Sequence, residues 1–260
     1  MDQVIHIRDL DTSKIEYTQI RELPSRAKSI GVVCNGKPLI VQTEVHVVPF
    51  EKSCFGDPEK GEREKITVDL SFKGMDDDNN PNSKKLKKSH EAFCALDSKF
   101  LDDAVSNSMS WFKKSKVKRE VMEELYTPVV RVSKDKETGE PDGKYPPSIR
   151  VRLPVDQRTG KFTFKCYNMQ KMELSVDDAI KKGSKVRALL RCNGIWVSAG
   201  KFGTTWQVMQ AKCDPPATIT KYSMIDDSDE QKSDSDESVD TEFTVESTRI
   251  ATCTAFHLCC

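Results

Sequence analysis

Histidine is scarce in this sequence, and cysteine is not arranged for a disulfide framework or a metal site. Only four histidines occur among 260 residues, and none belongs to an HxxxH pair or a Ser/His/Asp pattern. None of the nine cysteines forms a CxxC pair, whereas tetrahedral zinc sites usually show paired ligands. Scattered cysteines are typical of small buried hydrophobic side chains. We therefore expect neither a metal ion nor structural disulfides.

Glycine motifs that cradle phosphates are also missing. The segment AGKFGTT (199–205) resembles a P-loop only superficially, because Phe202 follows the lysine where Ser or Thr would hold magnesium. The chain has no GxGxxG sequence, no nucleophile elbow and no isolated carboxylate pair in an apolar context. The sequence therefore gives no support to an enzyme and predicts no cofactor.

Long apolar runs are absent as well. No stretch approaches the roughly 20 consecutive apolar residues that span a bilayer. The N-terminal sequence MDQVIHIRDLD carries an early acid and lacks the apolar core of a secretory signal. We therefore expect an intracellular protein that does not enter the membrane.

The formal net charge of zero conceals a separation of charge along the chain. Residues 223–260 carry ten acids and two bases, a net charge of −8, and the rest of the chain is +8. A basic body suits a polyanionic partner, and a tethered acidic tail can imitate that partner and compete for its groove. We expect 223–260 to be disordered. The residues assigned to partner binding are Asp226, Asp227, Asp229, Glu230, Asp234, Asp236, Glu237, Asp240, Glu242 and Phe243.

The rest of the sequence predicts an arm over residues 1–27 and one α+β domain, mostly β, over residues 28–222. Alternating apolar and polar residues indicate strands within 28–50, around an Asn35-Gly36 turn. In this alternation His46 falls on the polar face, which predicts a surface position. A loop with three aspartates (75–82) is interpreted as turn and capping chemistry rather than a metal site.

A helical insertion is predicted over residues 83–126, with a break at 106–108. Its apolar residues recur at helical spacing, which is typical of a core-facing stripe. That stripe consists of Leu86, Phe93, Leu96, Phe100, Leu101 and Val105. Dense β sequence follows over residues 148–213, with turns at 156–160 and Asn193-Gly194. Short strands joined by tight turns indicate a small barrel or sandwich.

The C-terminal strands carry the candidate binding residues. Lys185, Arg187 and Arg191 share one face of their strand, opposite the apolar residues, and Lys165 and Tyr167 share the polar face of another. Phe162 and Phe164 are interpreted as core. Cations that follow phosphates, interleaved with rings that stack on unpaired bases, suit single-stranded nucleic acid. The alternative is a solvated barrel face with the tryptophans in the core. Secondary candidates are Trp196, Lys201 and Trp206.

Several strings, in this order, resemble a known family. They are KITVDLSF (65–72), SHEAFCAL (89–96), GKFTFKCY (160–167), KKGSKVRALLRC (181–192) and GIWVSAGKFGTTWQVMQAKC (194–213). The sequence is similar to the single-stranded DNA-binding proteins of short-tailed coliphages and of large nucleocytoplasmic DNA viruses. The resemblance covers roughly residues 30–213 and extends to the acidic character of the tail.

The resemblance implies an OB-fold barrel with an inserted helix, and sequence-independent binding of single-stranded DNA in viral replication and recombination. It also implies a homodimer, action at the host-cell site of viral DNA replication, and an acidic tail that recruits the viral DNA polymerase or helicase-primase. The family's tail ends in an aromatic residue, which Phe243 matches, but seventeen further residues follow. The alternative hypothesis is a non-enzymatic structural or genome-packaging protein of the virion.

Overall fold

The computed structural model describes residues 4–56 and 65–217. Residues Met1–Ala217 form one compact unit. The predicted tail (223–260), with all its partner-binding residues, lies outside the described residues. Two short 3-10 turns, Ile7–Asp9 and Thr12–Lys14, follow the first strand.

Fifteen strands and four α-helices make up the described part of the chain. The strands are β1 (Val4–His6), β2 (Ile15–Glu22), β3 (Lys28–Cys34), β4 (Lys37–Pro38), β5 (Ile40–Gln42), β6 (His46–Val47), β7 (Ser53–Phe55), β8 (Lys65–Ser71), β9 (Tyr126–Thr127), β10 (Val130–Arg131), β11 (Ser148–Leu153), β12 (Lys165–Tyr167), β13 (Glu173–Leu174), β14 (Lys185–Ser198) and β15 (Lys201–Asp214). The helices are α1 (Ser83–Ser106), α2 (Ser108–Phe112), α3 (Arg119–Leu125) and α4 (Val176–Ala179).

Five of these strands, β6, β8, β11, β15 and β14, form a closed barrel. β6 pairs with β8, β8 with β11, β11 with β15, β15 with β14, and β14 returns to β6. All of these pairs are antiparallel except β11–β15, which is parallel at Arg152 and Gln207. A five-stranded barrel in this order is OB-fold-like, and the predicted fold class is confirmed. β8 and β11 are its second and third strands, and the loop that contains β7 joins the first strand to the second.

Strict alternation builds the barrel wall. On β8 the side chains of Val68 and Leu70 are buried, and on β11 those of Ile149, Val151 and Leu153 are buried. Because side chains alternate across a strand, the polar residues between them face outward. This arrangement puts an outward row of polar and charged residues on each strand, next to the loop that contains β7.

The predicted turn at Asn193-Gly194 is wrong, because β14 runs through it. The strand pairs with β15 on both sides of an irregularity between Cys192 and Ile195. Gly194 has a φ of +106°, and a Cβ atom there would lie 2.3 Å from the carbonyl oxygen of Ile30 on β3. The glycine therefore serves close packing against β3 within a bulge. The chain reverses instead at Ala199 and Gly200, which both have positive φ values.

The first 27 residues do not form a separate arm from Val4 onward. β1 pairs in parallel with β5, and β2 pairs with β3, which itself pairs with β14. Ile7 and Ile15 are buried in the core. The Tyr17 hydroxyl donates to Asp103 on α1, and the Trp111 ring contacts Tyr17 edge-on at 5.1 Å. These contacts attach the β2–β3 hairpin to the helices.

The predicted surface position of His46 is wrong, because the first barrel strand is interrupted. Residues 43–45 separate β5 from β6, and the regular alternation stops there. The Thr43 hydroxyl accepts from the Ala188 amide, and Glu44 is buried and ion-paired with Arg8. His46 is consequently fully buried, with its ring edge-on to Phe72. Glu44 and His46, predicted on the polar face, therefore point into the protein.

The helical insertion at 83–126 and its break near 106–108 are confirmed by α1, α2 and α3. Most of the predicted apolar stripe is buried, and Phe93 contacts Trp206 of β15 edge-on at 5.9 Å. The loop before α1 shows the predicted turn chemistry, since the Asn79 amide donates to the Asp77 carboxylate. Among the described residues, none of the helices is long and apolar enough to cross a membrane.

Candidate nucleic-acid interface

The predicted binding residues of β14 share its outward face. Lys185, Arg187 and Arg191 alternate with the buried side chains of Val186, Ala188, Leu190 and Cys192. β15 lies between β14 and β12, so that Arg187 pairs in register with Lys212, and Lys212 with Tyr167. The sheet therefore brings Arg187 and Tyr167 to one surface, as the alternation predicts.

These two residues line an open groove of about 400 Å³, which we call the basic groove. No acidic residue lines it; the Glu44 carboxylate lies 4.0 Å from the Arg187 guanidinium. Lys165 is outside the lining, and its ammonium donates to Glu173 at 2.7 Å, which raises its pKa. The lining residues are Gln42, Tyr167, Asn168, Lys171, Arg187, Ala188, Leu189, Gln210, Ala211 and Lys212.

Other predicted residues lie elsewhere. Arg191 lines a separate recess with Arg21, and Lys201 lies next to the turn of the β14–β15 hairpin. Trp196 is half-buried and lies close to Gly203. Trp206 is only 3% exposed and packs against Phe93, so its ring is not available to a base and its assignment is corrected to the core.

The two neighbouring phenylalanines belong to the interior. Phe164 is buried, and Phe162 is half-buried with its ring edge-on to Phe164 at 5.8 Å. Cys166 is buried beside Cys213, whose thiol raises the pKa of Cys166 through a hydrogen bond. The core interpretation of Phe162 and Phe164 is confirmed.

A second groove, which the sequence reasoning missed, crosses the outward face of β8 and β11. It has a volume of about 530 Å³, and we call it the aromatic groove. The loop between β6 and β8 contributes Phe50, and the segment before β11 contributes Tyr145. Phe55 of β7 stands beside it, with its ring 5.9 Å from the guanidinium carbon of Arg150. The complete lining is Val47, Val48, Pro49, Phe50, Asp69, Ser71, Lys73, Arg131, Val132, Ser133, Tyr145, Pro146, Ser148, Arg150, Lys182 and Gly183.

The three rings are unusually open to solvent. Phe50 is 55% exposed, Phe55 49% and Tyr145 54%, and the described residues contain no other phenylalanine or tyrosine among their exposed large hydrophobic side chains. Exposed rings on one surface indicate a binding site, because each uncovered ring leaves apolar area in contact with water. All of the strongly exposed rings in the described part of the chain thus meet at one face of the barrel.

The charge around these rings is positive. Lys73, Arg131, Arg150 and Lys182 line the aromatic groove, and Asp69 is its one lining acid. Asp69 is occupied by Arg150 through two hydrogen bonds, at 2.7 and 2.8 Å. Arg131 forms no ion pair within the described residues, and burial together with the charge of Arg150 lowers its pKa. A bound anion would relieve this desolvation and repulsion.

One sequence signal could have identified these rings. Phe50, Phe55 and Tyr145 each lie in polar or proline-containing segments, PFEKSCF and KYPP, between periodic stretches. A large ring in such a segment does not belong to a periodic apolar face that would bury it. Lys212 of the basic groove was missed because its strand partners could not be read from the sequence, and Lys171 because it lies in the turn between β12 and β13.

Within the described residues, no group of three or more His, Cys, Asp or Glu side chains is arranged to hold a metal ion. His90 and Cys94 approach to 3.8 Å on α1, as expected for residues four apart on a helix.

Comparison with known proteins gives a family for this chain. A family model matches residues 74–226, more than half of the sequence. The chain belongs to DUF5871, a family of unknown function. The matched residues include α1, β11, β14 and β15. They also include Arg131, Tyr145 and Arg150 of the aromatic groove. Phe50 and Phe55 precede it. No curated protein matches the sequence significantly.

Some solved structures are distantly similar to this DUF5871 chain. The crystal structure of gp2.5, a single-stranded DNA-binding protein encoded by bacteriophage T7, is 11% identical with a TM-score of 0.39, covering 72% of this chain and 98% of that chain. The single-stranded DNA-binding protein from bacteriophage Enc34, in complex with single-stranded DNA, is 11% identical with a TM-score of 0.41, covering 78% and 97%. At these TM-scores the fold assignment rests on the chain's own strand pairings.

Proposed function

We propose that this chain binds single-stranded DNA, independently of sequence and without catalysis, through the aromatic groove. The supporting observation is that three exposed rings and four cations lie together at the outward face of β8 and β11. The rings are those of Phe50, Phe55 and Tyr145. OB-folds bind oligonucleotides on the face of their second and third strands and with the loop between the first two. In this chain Phe50 and Phe55 lie in the loop between the first two strands, and Tyr145 lies in the segment that leads into the third strand.

The chemistry of the groove fits single strands better than duplexes. Unpaired bases expose flat faces that stack on aromatic side chains, at about 1–3 kcal/mol per base. The cations Lys73, Arg131 and Lys182 can follow the phosphates, and this part of the affinity is lost as salt rises. A duplex hides its base faces, so it could use the cations alone.

The basic groove is the competing surface for the same ligand. It holds Arg187, Lys171 and Lys212 but only one ring, the half-buried Tyr167. One ring gives little stacking, so we propose this groove as the secondary surface. The same proposal includes Lys165 and Lys185 on the strands beside this groove, and Arg191 in the separate recess that it lines.

We further propose that binding serves viral DNA replication and recombination at the host-cell site of replication. In this proposal the acidic segment, Asp226 to Phe243, competes with DNA for the cationic surface and recruits a viral polymerase or helicase-primase. Residues 1–222 and residues 223–260 carry opposite net charges, which supports the proposed competition between the acidic segment and DNA. The proposed homodimer rests on the sequence resemblance.

The function is tested by titrating the protein into a fluorescent oligothymidylate and into a duplex of equal length, at several salt concentrations. We expect tighter binding to the single strand, and we expect the logarithm of the affinity to fall linearly with the logarithm of the salt concentration. Equal affinity for the duplex would favour the alternative, a structural or genome-packaging role in the virion. No salt-sensitive binding to either ligand would contradict nucleic-acid binding altogether.

A further inference from the structure

Another recess lies at the end of the β14–β15 hairpin, and we call it the hairpin-end recess. It has a volume of about 460 Å³. Three separate parts of the chain form it: the β2–β3 turn, the end of α2, and the hairpin turn at Ala199 and Gly200. No lining residue is shared with the aromatic groove or the basic groove. Its lining residues are Glu22, Leu23, Arg26, Lys28, Trp111, Phe112, Lys113, Lys114, Val197, Ser198, Ala199 and Gly200.

The recess has a strong excess of positive charge. Four cations and one acid, Glu22, line it. The Lys28 ammonium is occupied, because it donates to the Trp111 carbonyl at 2.8 Å. Arg26, Lys113 and Lys114 are exposed and form no ion pair within the described residues. Like charges held together without a partner are destabilising, and a bound anion would remove that cost.

The backbone holds two of these cations in an unfavourable conformation. Arg26 and Lys113 have φ values of 62° and 58°, and Ala199 beside them has 50°. These three are half of the six non-glycine residues with positive φ in the described part of the chain. Each such residue costs about 1 kcal/mol or more relative to glycine. The sequence nevertheless places long cationic side chains, and not glycine, at Arg26 and Lys113.

The recess offers charge but no stacking surface. Trp111 is 3% exposed, and Phe112 is half-buried with its ring 5.1 Å from Phe202. A ligand held by free ammonium and guanidinium groups, without an open ring, is recognised through anionic oxygens. Phosphodiester groups supply these oxygens at regular intervals along a strand.

We propose that the hairpin-end recess binds backbone phosphates of the same nucleic acid that occupies the aromatic groove, as a second and separate contact. This inference rests on the proposed function. It predicts that short oligonucleotides engage the aromatic groove only, whereas longer ones also reach the recess. The recess contributes affinity and salt dependence but no preference among bases.

The test is a triple variant, Arg26→Asn, Lys113→Asn and Lys114→Gln. Asparagine tolerates the left-handed conformation at the first two positions. The matched control removes three exposed cations that line none of these surfaces, with Lys136→Gln, Arg158→Gln and Lys161→Gln. Oligothymidylates of about 6 and about 25 nucleotides are titrated over a range of salt, since OB-folds cover about 4–16 nucleotides.

We expect the triple variant to lower the salt slope for the long oligonucleotide by about 2, since each phosphate contact on a single strand contributes about 0.7. Its affinity for that oligonucleotide should fall about 100-fold at about 0.1 M salt, while the affinities of the short oligonucleotide and of the control variant stay unchanged. Lys114→Gln alone, outside the left-handed positions, should lower the slope by about 0.7. An unchanged slope for the long oligonucleotide in both variants would overturn the proposal while leaving the aromatic groove intact.

Two other outcomes are also decisive. Failure of the wild type to bind either oligonucleotide would contradict the proposed function itself. If the triple variant keeps its salt slope but no longer binds an added peptide of residues 223–243, the recess serves the acidic segment, and the phosphate proposal is wrong.

Discussion

Replacing the exposed rings one at a time should decide which face of the barrel carries single-stranded DNA. Tyr145→Ala, Phe50→Ala and Phe55→Ala each remove a ring that is about half exposed in the free protein. Loss of one stacked base costs about 1–3 kcal/mol, so each variant should weaken binding about 5- to 150-fold. Little of this loss should come from misfolding, because exposed side chains add little to the free energy of unfolding.

The salt dependence separates stacking from phosphate contacts. Ring removal should shift the line of log affinity against log salt downward without changing its slope, because stacking releases no counterions. Phe55→Ala should fall in the same range, because the contact of its ring with the Arg150 guanidinium is already present in the free protein. The assay is fluorescence anisotropy with a labelled oligothymidylate.

The controls are chosen from the same structure. Tyr145→Phe keeps the ring and should bind nearly as the wild type. Val121→Ala removes an exposed apolar side chain on α3, 43% exposed and outside every groove described above, and should have no effect. If all three alanine variants keep wild-type affinity while Arg187→Glu weakens binding and lowers the slope, the ligand lies on the basic groove and our assignment is refuted.

Three further predictions concern stability and the tail. Asp97→Ala should lower the free energy of unfolding in urea by about 1.5–3 kcal/mol, because the half-buried carboxylate accepts from the Tyr126 hydroxyl and two backbone amides. Stability should fall by about 3 kcal/mol as pH drops from 6.5 to 4, because burial lowers the pKa of His46 to about 4 and only the unfolded chain gains the proton. Deleting residues 223–260 should strengthen binding of single-stranded DNA at low salt.

Each of these predictions has its own control. Glu123→Ala removes a carboxylate on the exposed surface of α3 and should cost less than about 1 kcal/mol. A cost for Asp97→Ala below that value would contradict its anchoring role. His46→Leu should flatten the stability profile between pH 4 and 6.5, and a profile as steep as that of the wild type would contradict the assignment. If truncation after residue 222 leaves low-salt affinity unchanged, the tail does not compete for DNA.

The regular parts of the fold could be predicted from the sequence because their periodicity is local. The apolar stripe on α1 and the apolar–polar alternation on β14 each result from one face that is buried, and the structure buries both faces as expected. The break after Gln42 could not be predicted, because Thr43 and Glu44 are buried by partners distant in sequence, Ala188 and Arg8. His46 was misplaced for the same reason.

The candidate site was predicted less completely than the fold. Strand alternation correctly indicated the outward face of Arg187, but it could not show that Lys212 would lie between Arg187 and Tyr167. It also favoured residues within strands over residues in loops. Phe50 and Tyr145 become neighbours of Arg131 only when β8, β10 and β11 pair, and that pairing spans a helical insertion.

The central claim is that unpaired bases stack on the rings of the aromatic groove. Ultraviolet crosslinking of the full chain to a single-stranded oligothymidylate, followed by mass spectrometry of the crosslinked peptides, tests this claim most directly. We predict crosslinks at Phe50, Phe55 or Tyr145. The yield of each crosslink should fall when an excess of non-crosslinkable single strand is added as a competitor. Crosslinks confined to Tyr167 and the strands around it would contradict the account.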